Sequence, residues 1–170
     1  PEVVAALLRF ARDLAPDVAI LSGDITQRAR RGQFERARAF ADALAVPHLL
    51  AIPGNHDVPL FNFVARVVTP YANFNRAFGP DREPVFDGAD LLLVTVDTTR
   101  WYRHKDGEVA AAQIDRVSRR LGGAKAAQVR IVVAHHPVFA LEASDETNVL
   151  HGHAAAIRAW ASAGADLIVG

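Results

Sequence analysis

The chain has 170 residues, 51 % of them apolar, and its 19 lysines and arginines balance its 19 aspartates and glutamates. This length suits one domain with a substantial core, and the zero net charge argues against a nucleic-acid polymer or a membrane surface as a partner. Cysteine is absent, which excludes disulfides and thiolate metal sites, and the lack of a signal peptide or a long apolar run predicts a cytoplasmic location.

The first part of the chain predicts a strand, helix, strand unit. Apolar residues at helical spacing predict a helix from Glu2 to Leu14, and a short apolar run predicts a strand from Val18 to Ser22. A second amphipathic helix is expected from Gln33 to Leu44, followed by a strand from His48 to Ile52. Because such units almost always cross over in the right-handed sense, the two strands should be parallel.

The periodicity weakens after the second strand. Two short helices are expected there, from Phe61 to Val68 and from Tyr71 to Phe78. Their aromatic residues could line a substrate pocket, but local packing is the commoner role. A hairpin is then predicted, with its turn at Asp87-Gly88 and its second strand from Leu91 to Val96.

The residues after the hairpin leave two interpretations open. Asp97 ends the strand, and hydrogen bonding to neighbouring loops is favoured over catalysis for this residue. Thr98 to Glu108 is a polar loop that holds Trp101 and Tyr102. It either reaches the functional site and contacts the substrate or is an ordinary exposed loop.

The last part of the chain returns to alternating elements. A helix is predicted from Val109 to Leu121 and a strand from Val129 to Ala134. A polar loop from Glu142 to Asn148 leads to a helix from His153 to Ala163, and a last strand begins at Asp166. The alternation indicates an α/β protein.

Polar side chains follow three of these strands at the point where each strand ends. The sequences are Gly23-Asp24, Gly54-Asn55-His56-Asp57 and His135-His136-Pro137. In α/β proteins the carboxyl ends of the strands are where ligands bind. Taken alone, each sequence could be a solvated turn, but three in order are hard to explain in that way. Oxygen and imidazole donors together suit manganese, iron, zinc or nickel.

This set of GD, GNHD and HHP motifs closely resembles the calcineurin-like metallophosphoesterases, above all the small bacterial branch that includes cyclic-nucleotide phosphodiesterases. GNHD is the specific motif, while GD and HHP gain weight from their order and spacing. The resemblance covers nearly the whole chain. It implies a four-layer α/β/β/α sandwich, in which two mixed sheets pack face to face with helices outside.

The resemblance also implies a role for each residue of the site. Asp24 would bridge two divalent metal ions, manganese, iron or zinc, and Asn55 and His135 would bind the second of them. His56 resembles the histidine of the family that protonates the leaving oxygen. Asp57 is expected to hold the imidazole of His56 charged and oriented.

The chain departs from the family at both ends. The DxH motif of the family is expected before Pro1, and its GHxH motif is expected after Gly170. Residues 1–170 are therefore predicted to be a single but incomplete metallophosphoesterase domain. Alone, this domain is expected to bind metal weakly and to hydrolyse little substrate. The HGH sequence at His151 and His153 is not that GHxH motif, because the family places it after the next strand. His136 is expected either to support the metal ligands or to be structural, and not to bind a metal itself, since adjacent side chains at a strand end point in opposite directions.

The sequence therefore predicts a metal-dependent phosphoesterase whose two metal ions activate a water. Its partner would be a small phosphodiester or phosphomonoester, of cyclic nucleotide or glycerophosphodiester type. The alternative is a non-catalytic binding scaffold with the same fold, although Asp24, Asn55, His56 and His135 together argue against it. An unrelated doubly wound protein with a fortuitous GNHD is a third hypothesis. The oligomeric state is not predicted.

Overall fold

The computed structural model describes residues 2–60, 63–103, 105–140 and 142–170, with the backbone alone for 143–145. The helices are α1 (Glu2–Leu14), α2 (Arg31–Ala43), α3 (Phe63–Val68), α4 (Ala72–Phe78), α5 (Ala111–Gly122) and α6 (His153–Ser162). The strands are β1 (Val18–Ser22), β2 (His48–Ile52), β3 (Val85–Asp87), β4 (Leu91–Thr95), β5 (Val129–Val133) and β6 (Leu167–Val169). Within these ranges no helix has the length and apolar character needed to cross a lipid bilayer.

The predicted elements are present, with small differences at their ends. Helix α2 begins at Arg31, earlier than predicted, because the Gln33 side chain accepts hydrogen bonds from the backbone of Arg28 and Arg30 and so closes its first turn. The predicted loop Glu142 to Asn148 contains a 3₁₀ turn over Ala143–Asn148. The first short helix was predicted from Phe61, but residues 61 and 62 lie outside the described residues.

Strands β1 and β2 form a parallel pair, as the predicted crossover requires. Their register runs from Val18 opposite His48 to Ser22 opposite Ile52. Helix α2 connects the two strands, so both strands end at the same edge of the sheet. The loops after Ser22 and Ile52 are therefore neighbours in space.

The other sheet has the strand order β3, β4, β5, β6. Strand β3 is antiparallel to β4, whereas β4, β5 and β6 are parallel, so this sheet is mixed. The two sheets meet where β2 contacts β3, and the rings of His48 and Phe86 lie 4.9 Å apart there. The predicted α/β architecture of two sheets flanked by helices is confirmed, although the described part of the smaller sheet is purely parallel.

The larger core lies between β4, β5 and the helices α5 and α6. Alternate residues of β4 such as Leu92 and Val94 point into it and pack with Leu121 and the fully buried Trp160. Burying one such apolar side chain stabilises the fold by about 1.5–3 kcal/mol. This core fixes the strands whose carboxyl ends carry the polar residues.

A second cluster is built from aromatic residues. Phe34 of α2 and Phe74 of α4 are buried, and their rings meet edge to face at 6.1 Å. Phe78 packs against both rings. The aromatic residues of α4 are therefore local core, as predicted, whereas Phe63 of α3 is 75 % exposed and the prediction is wrong there.

Candidate active site

The three predicted motifs meet at one edge of the molecule. Asp24 follows β1, Asn55 follows β2 in the same sheet, and His135 follows β5 in the other sheet. Nδ1 of His135 lies 2.9 Å from the carbonyl oxygen of Ser22, the last residue of β1. This contact brings the histidine of the larger sheet to the carboxyl end of the smaller one.

The three predicted metal ligands converge. Nε2 of His135 lies 3.2 Å from Oδ1 of Asp24 and 3.2 Å from Oδ1 of Asn55. Two donor atoms bound to one ion at about 2.1 Å and at right angles are about 3 Å apart, so these spacings suit ligands of one ion. In the described ranges, no group of three or more His, Cys, Asp or Glu side chains is placed to hold a metal ion. A metal ion bound by Asp24 and His135 would therefore also need the amide oxygen of Asn55.

The protonation of His135 provides a test of whether a cation fits. When Nδ1 donates its hydrogen to the carbonyl of Ser22, Nε2 of the neutral ring is an acceptor that faces two further acceptors. Only a second proton on the ring or a cation between these atoms makes this arrangement favourable. Carboxylate oxygen, amide oxygen and imidazole nitrogen are donors that first-row divalent metals accept, so the residues fit a metal ion.

The charges of Asp24 and His135 support each other. Burial alone would raise the pKa of Asp24, but hydrogen bonds from His135 and from the backbone of His56 keep it below its ordinary value. Burial alone would lower the pKa of His135, yet the adjacent Asp24 carboxylate raises it. Asp24 is therefore ionised at neutral pH, the state in which a carboxylate can bind a metal ion.

Two glycines make this convergence possible. A Cβ atom on Gly23 would lie 2.3 Å from Nδ1 of His135, and one on Gly54 would lie 2.1 Å from the backbone nitrogen of Asp24. Both distances are far below van der Waals contact. The backbone of Asp24 itself is left-handed, with φ of 49°, a conformation that non-glycine residues adopt mainly where the surrounding structure enforces it.

Asp57 has different partners from those expected. Its buried carboxylate accepts four hydrogen bonds, two from the backbone of Ile25 and Gly54 at 3.0 and 2.9 Å and two from the backbone and hydroxyl of Thr26 at 2.7 and 2.9 Å. These donors occupy its lone pairs. The predicted contact between the carboxylate of Asp57 and the imidazole of His56 is therefore wrong. The carboxylate instead ties the loop after β1 to the loop after β2.

His56 is oriented by Gln27. Its Nδ1 lies 3.2 Å from the carbonyl oxygen and 3.3 Å from Nε2 of Gln27, while its Nε2 lies 3.9 Å from Oδ2 of Asp24. The ring therefore presents Nε2 toward Asp24, on the side where the predicted metal ligands meet. Sequence reasoning missed Gln27, although its position three residues after Asp24 on the same loop was a usable signal.

His136 is a structural residue, as predicted. It is 4 % exposed, and its Nδ1 lies 2.7 Å from the hydroxyl of Thr98. Burial and the nearby His135 lower its pKa to about 4, so the ring is neutral at physiological pH. Nε2 of His151 lies 3.1 Å from Oδ2 of Asp106.

Asp97 is also structural, in agreement with the favoured interpretation. It is buried and accepts hydrogen bonds from the backbone of Thr99 at 2.9 Å and from Nε of Arg82 at 2.8 Å. Burial raises the pKa of Asp97, although Thr99 and Arg82 oppose the rise. The residue braces the start of the loop that follows β4.

Comparison with known proteins agrees with this geometry. A curated protein of Synechococcus sp. that bears the name "Probable cyclic nucleotide phosphodiesterase" is 28 % identical over 135 residues, which are 78 % of this chain and 47 % of the relative. The chain thus spans about half the length of the curated relative that it matches. The family model for calcineurin-like phosphoesterases matches residues 2–170. The chain belongs to the calcineurin-like phosphoesterase family.

Proposed function

We propose that the protein is a metal-dependent phosphodiesterase that acts on a small phosphodiester, of the cyclic nucleotide or glycerophosphodiester type. The convergence of Asp24, Asn55 and His135 within 3.2 Å carries this proposal. The name of the Synechococcus relative supports the diester class. A phosphomonoester remains the competing substrate class, and the assay below separates the two.

The donor set suits divalent manganese, iron or zinc. When bound, a pair of such ions would neutralise the phosphate oxygens and supply a nucleophilic water at neutral pH. Asp24 would bridge the pair, and Asn55 and His135 would complete the ligands that this chain gives to one of them.

The residues around this centre would position the reacting groups. The backbone carbonyl of Gln27 would accept the Nδ1 hydrogen of His56, so that Nε2 carries the proton for the leaving oxygen. Asp57 would hold the loops of Asp24 and His56 in register through its four hydrogen bonds. In this proposal Asp57 is a positioning residue, and His56 is the catalytic one.

Further expectations accompany this function. We infer that residues 1–170 act as one domain, which the contact between His135 and Ser22 across the two sheets supports. A cytoplasmic location, and a partner set without nucleic-acid polymers or membranes, stay predictions from the sequence.

Hydrolysis assays on the full-length protein test the proposal. The substrates are bis(p-nitrophenyl) phosphate and p-nitrophenyl phosphate, each with manganese and with a chelator. Metal-dependent hydrolysis that favours the diester and falls by at least about a hundredfold in Asp24→Asn is expected. His56→Ala should lose less activity with these substrates, because p-nitrophenolate leaves without a proton donor. A preference for the monoester would reassign the substrate class. Metal binding without hydrolysis of either substrate would overturn the proposal in favour of a binding scaffold.

A further inference from the structure

We propose that Trp101 and Tyr102 form a subsite for the flat aromatic group of the phosphoester, such as the base of a nucleotide, and that Arg66 positions this subsite. The inference rests on the proposed phosphodiesterase function and narrows its substrate class. The aromatic pair lies on the β4 loop, which is defined here as residues 98–103 and 105–108 between β4 and α5.

The two aromatic rings are accessible from solvent. Trp101 is 44 % exposed and Tyr102 is 54 % exposed, and their rings meet edge to face at 5.6 Å with an interplanar angle of 88°. By contrast, Trp160 is fully buried. Exposed aromatic rings on a loop beside a site offer faces on which a planar group can stack.

Both ends of the β4 loop pack against His136, the residue that follows the predicted metal ligand His135. The hydroxyl of Thr98 lies 2.7 Å from Nδ1 of His136, and a Cβ on Gly107 would lie only 2.2 Å from the same nitrogen. His136 adjoins the ligand His135, and the two rings are 4.9 Å apart. Because Trp101 follows Thr98 by three residues, at most about 11 Å of chain separates their Cα atoms.

Arg66 joins the β4 loop to the segment that follows the GNHD motif. Its guanidinium donates hydrogen bonds to the carbonyl oxygens of Trp101 at 2.5 Å, Arg103 at 2.7 Å and Pro59 at 3.1 Å. The residue is 9 % exposed, and a buried guanidinium is costly unless its donors are met. Pro59 follows His56 by three residues. The Arg66 side chain therefore fixes the position of the aromatic pair relative to His56, the proposed proton donor.

Glu108 braces the same loop from its far end. Its carboxylate accepts hydrogen bonds from the hydroxyl of Tyr102 at 3.2 Å and from Nε of Arg103 at 3.0 Å. These bonds keep the pKa of Glu108 below its ordinary value against the effect of burial. The aromatic pair is therefore held before a ligand arrives, which lowers the entropic cost of binding.

The test compares two diesters with the same leaving group. Thymidine 5′-(p-nitrophenyl phosphate) and methyl p-nitrophenyl phosphate both release p-nitrophenolate, so the ratio of their kcat/KM values isolates the contribution of the nucleoside. In the full-length protein, Trp101→Ala combined with Tyr102→Ala should lower kcat/KM for the thymidine ester at least about tenfold. The methyl ester should change less than about twofold, because it has no group to stack.

Two further variants separate positioning from folding. Arg66→Lys keeps the positive charge but cannot reach three carbonyls, so it should raise KM for the thymidine ester and leave KM for the methyl ester unchanged. Phe10→Ala is the matched control, since Phe10 is 63 % exposed in α1, which leads into the opposite, amino end of β1. It should leave both substrates unaffected.

A binding measurement gives a readout that does not need turnover. Of the two tryptophans in residues 1–170, Trp101 is exposed and Trp160 is buried. Adenosine monophosphate should therefore quench fluorescence that Trp101→Phe removes, whereas inorganic phosphate should not. Equal losses with both diesters, or quenching that survives in Trp101→Phe, would overturn the subsite. Failure of the proposed function would look different, because the unmodified protein would hydrolyse neither diester.

Discussion

Replacing Asp57 with asparagine tests whether its carboxylate holds the two site loops together. The carboxylate receives four hydrogen bonds, whereas an asparagine has one acceptor oxygen and would turn an amide donor toward two of the same donors. Two hydrogen bonds to a charged group contribute about 3–6 kcal/mol to the free energy of unfolding. Removing a buried charge returns part of this amount, so Asp57→Asn should lower the free energy of unfolding by about 3 kcal/mol.

Urea unfolding at pH 7.5, followed by circular dichroism, measures this difference. The matched control is Asp115→Asn, because Asp115 is exposed on α5 and its replacement should change stability by less than about 0.5 kcal/mol. If Asp57→Asn unfolded at the same urea concentration as the control variant, the carboxylate would not be the tie between the loops that the structure describes.

Three further predictions follow from the same contacts. His56→Ala should lower kcat at least about a hundredfold for a diester with an alkyl leaving group and less than about tenfold for one with p-nitrophenolate, which needs no proton donor. Gly54→Ala should weaken manganese binding at least about tenfold in calorimetry, because its Cβ would lie 2.1 Å from a backbone atom of the site. His136 has a pKa of about 4 in the folded chain, below the ordinary value of about 6.5. Its folded form therefore stays neutral while the unfolded chain takes up a proton, and between pH 7.5 and 4.5 this residue should cost about 2–3 kcal/mol of stability.

Each of these predictions has its own control. Equal losses of kcat with both leaving groups would contradict the role of His56 as the proton donor. Gly32→Ala adds a methyl group 3.9 Å from its nearest neighbour and should leave manganese binding unchanged, so equal effects of the two glycine variants would argue against steric displacement. His136→Asn should lose less stability on acidification than the unmodified protein, and parallel losses would show that other groups carry the pH dependence.

The sequence by itself determined the elements and the edge at which the site lies. Apolar periodicity located all the strands, and the crossover rule made β1 and β2 parallel. Because the carboxyl ends of parallel strands in one sheet share an edge, local patterns suffice to place Asp24 and Asn55 together. That His135 of the other sheet would join them was predicted from the resemblance to the family.

Only the tertiary structure decided which polar groups contact each other. Asp57 and Thr26 are 31 residues apart, His56 and Gln27 are 29 apart, and Arg66 and Trp101 are 35 apart. A hydrogen bond depends on distances of a few tenths of an ångström and on angles that local sequence does not set. Because His56 and Asp57 are neighbours in sequence, the carboxylate of Asp57 was predicted to support the imidazole of His56. Packing instead directed the carboxylate of Asp57 toward four nearby donors, because a buried charge is stable only where its lone pairs are filled.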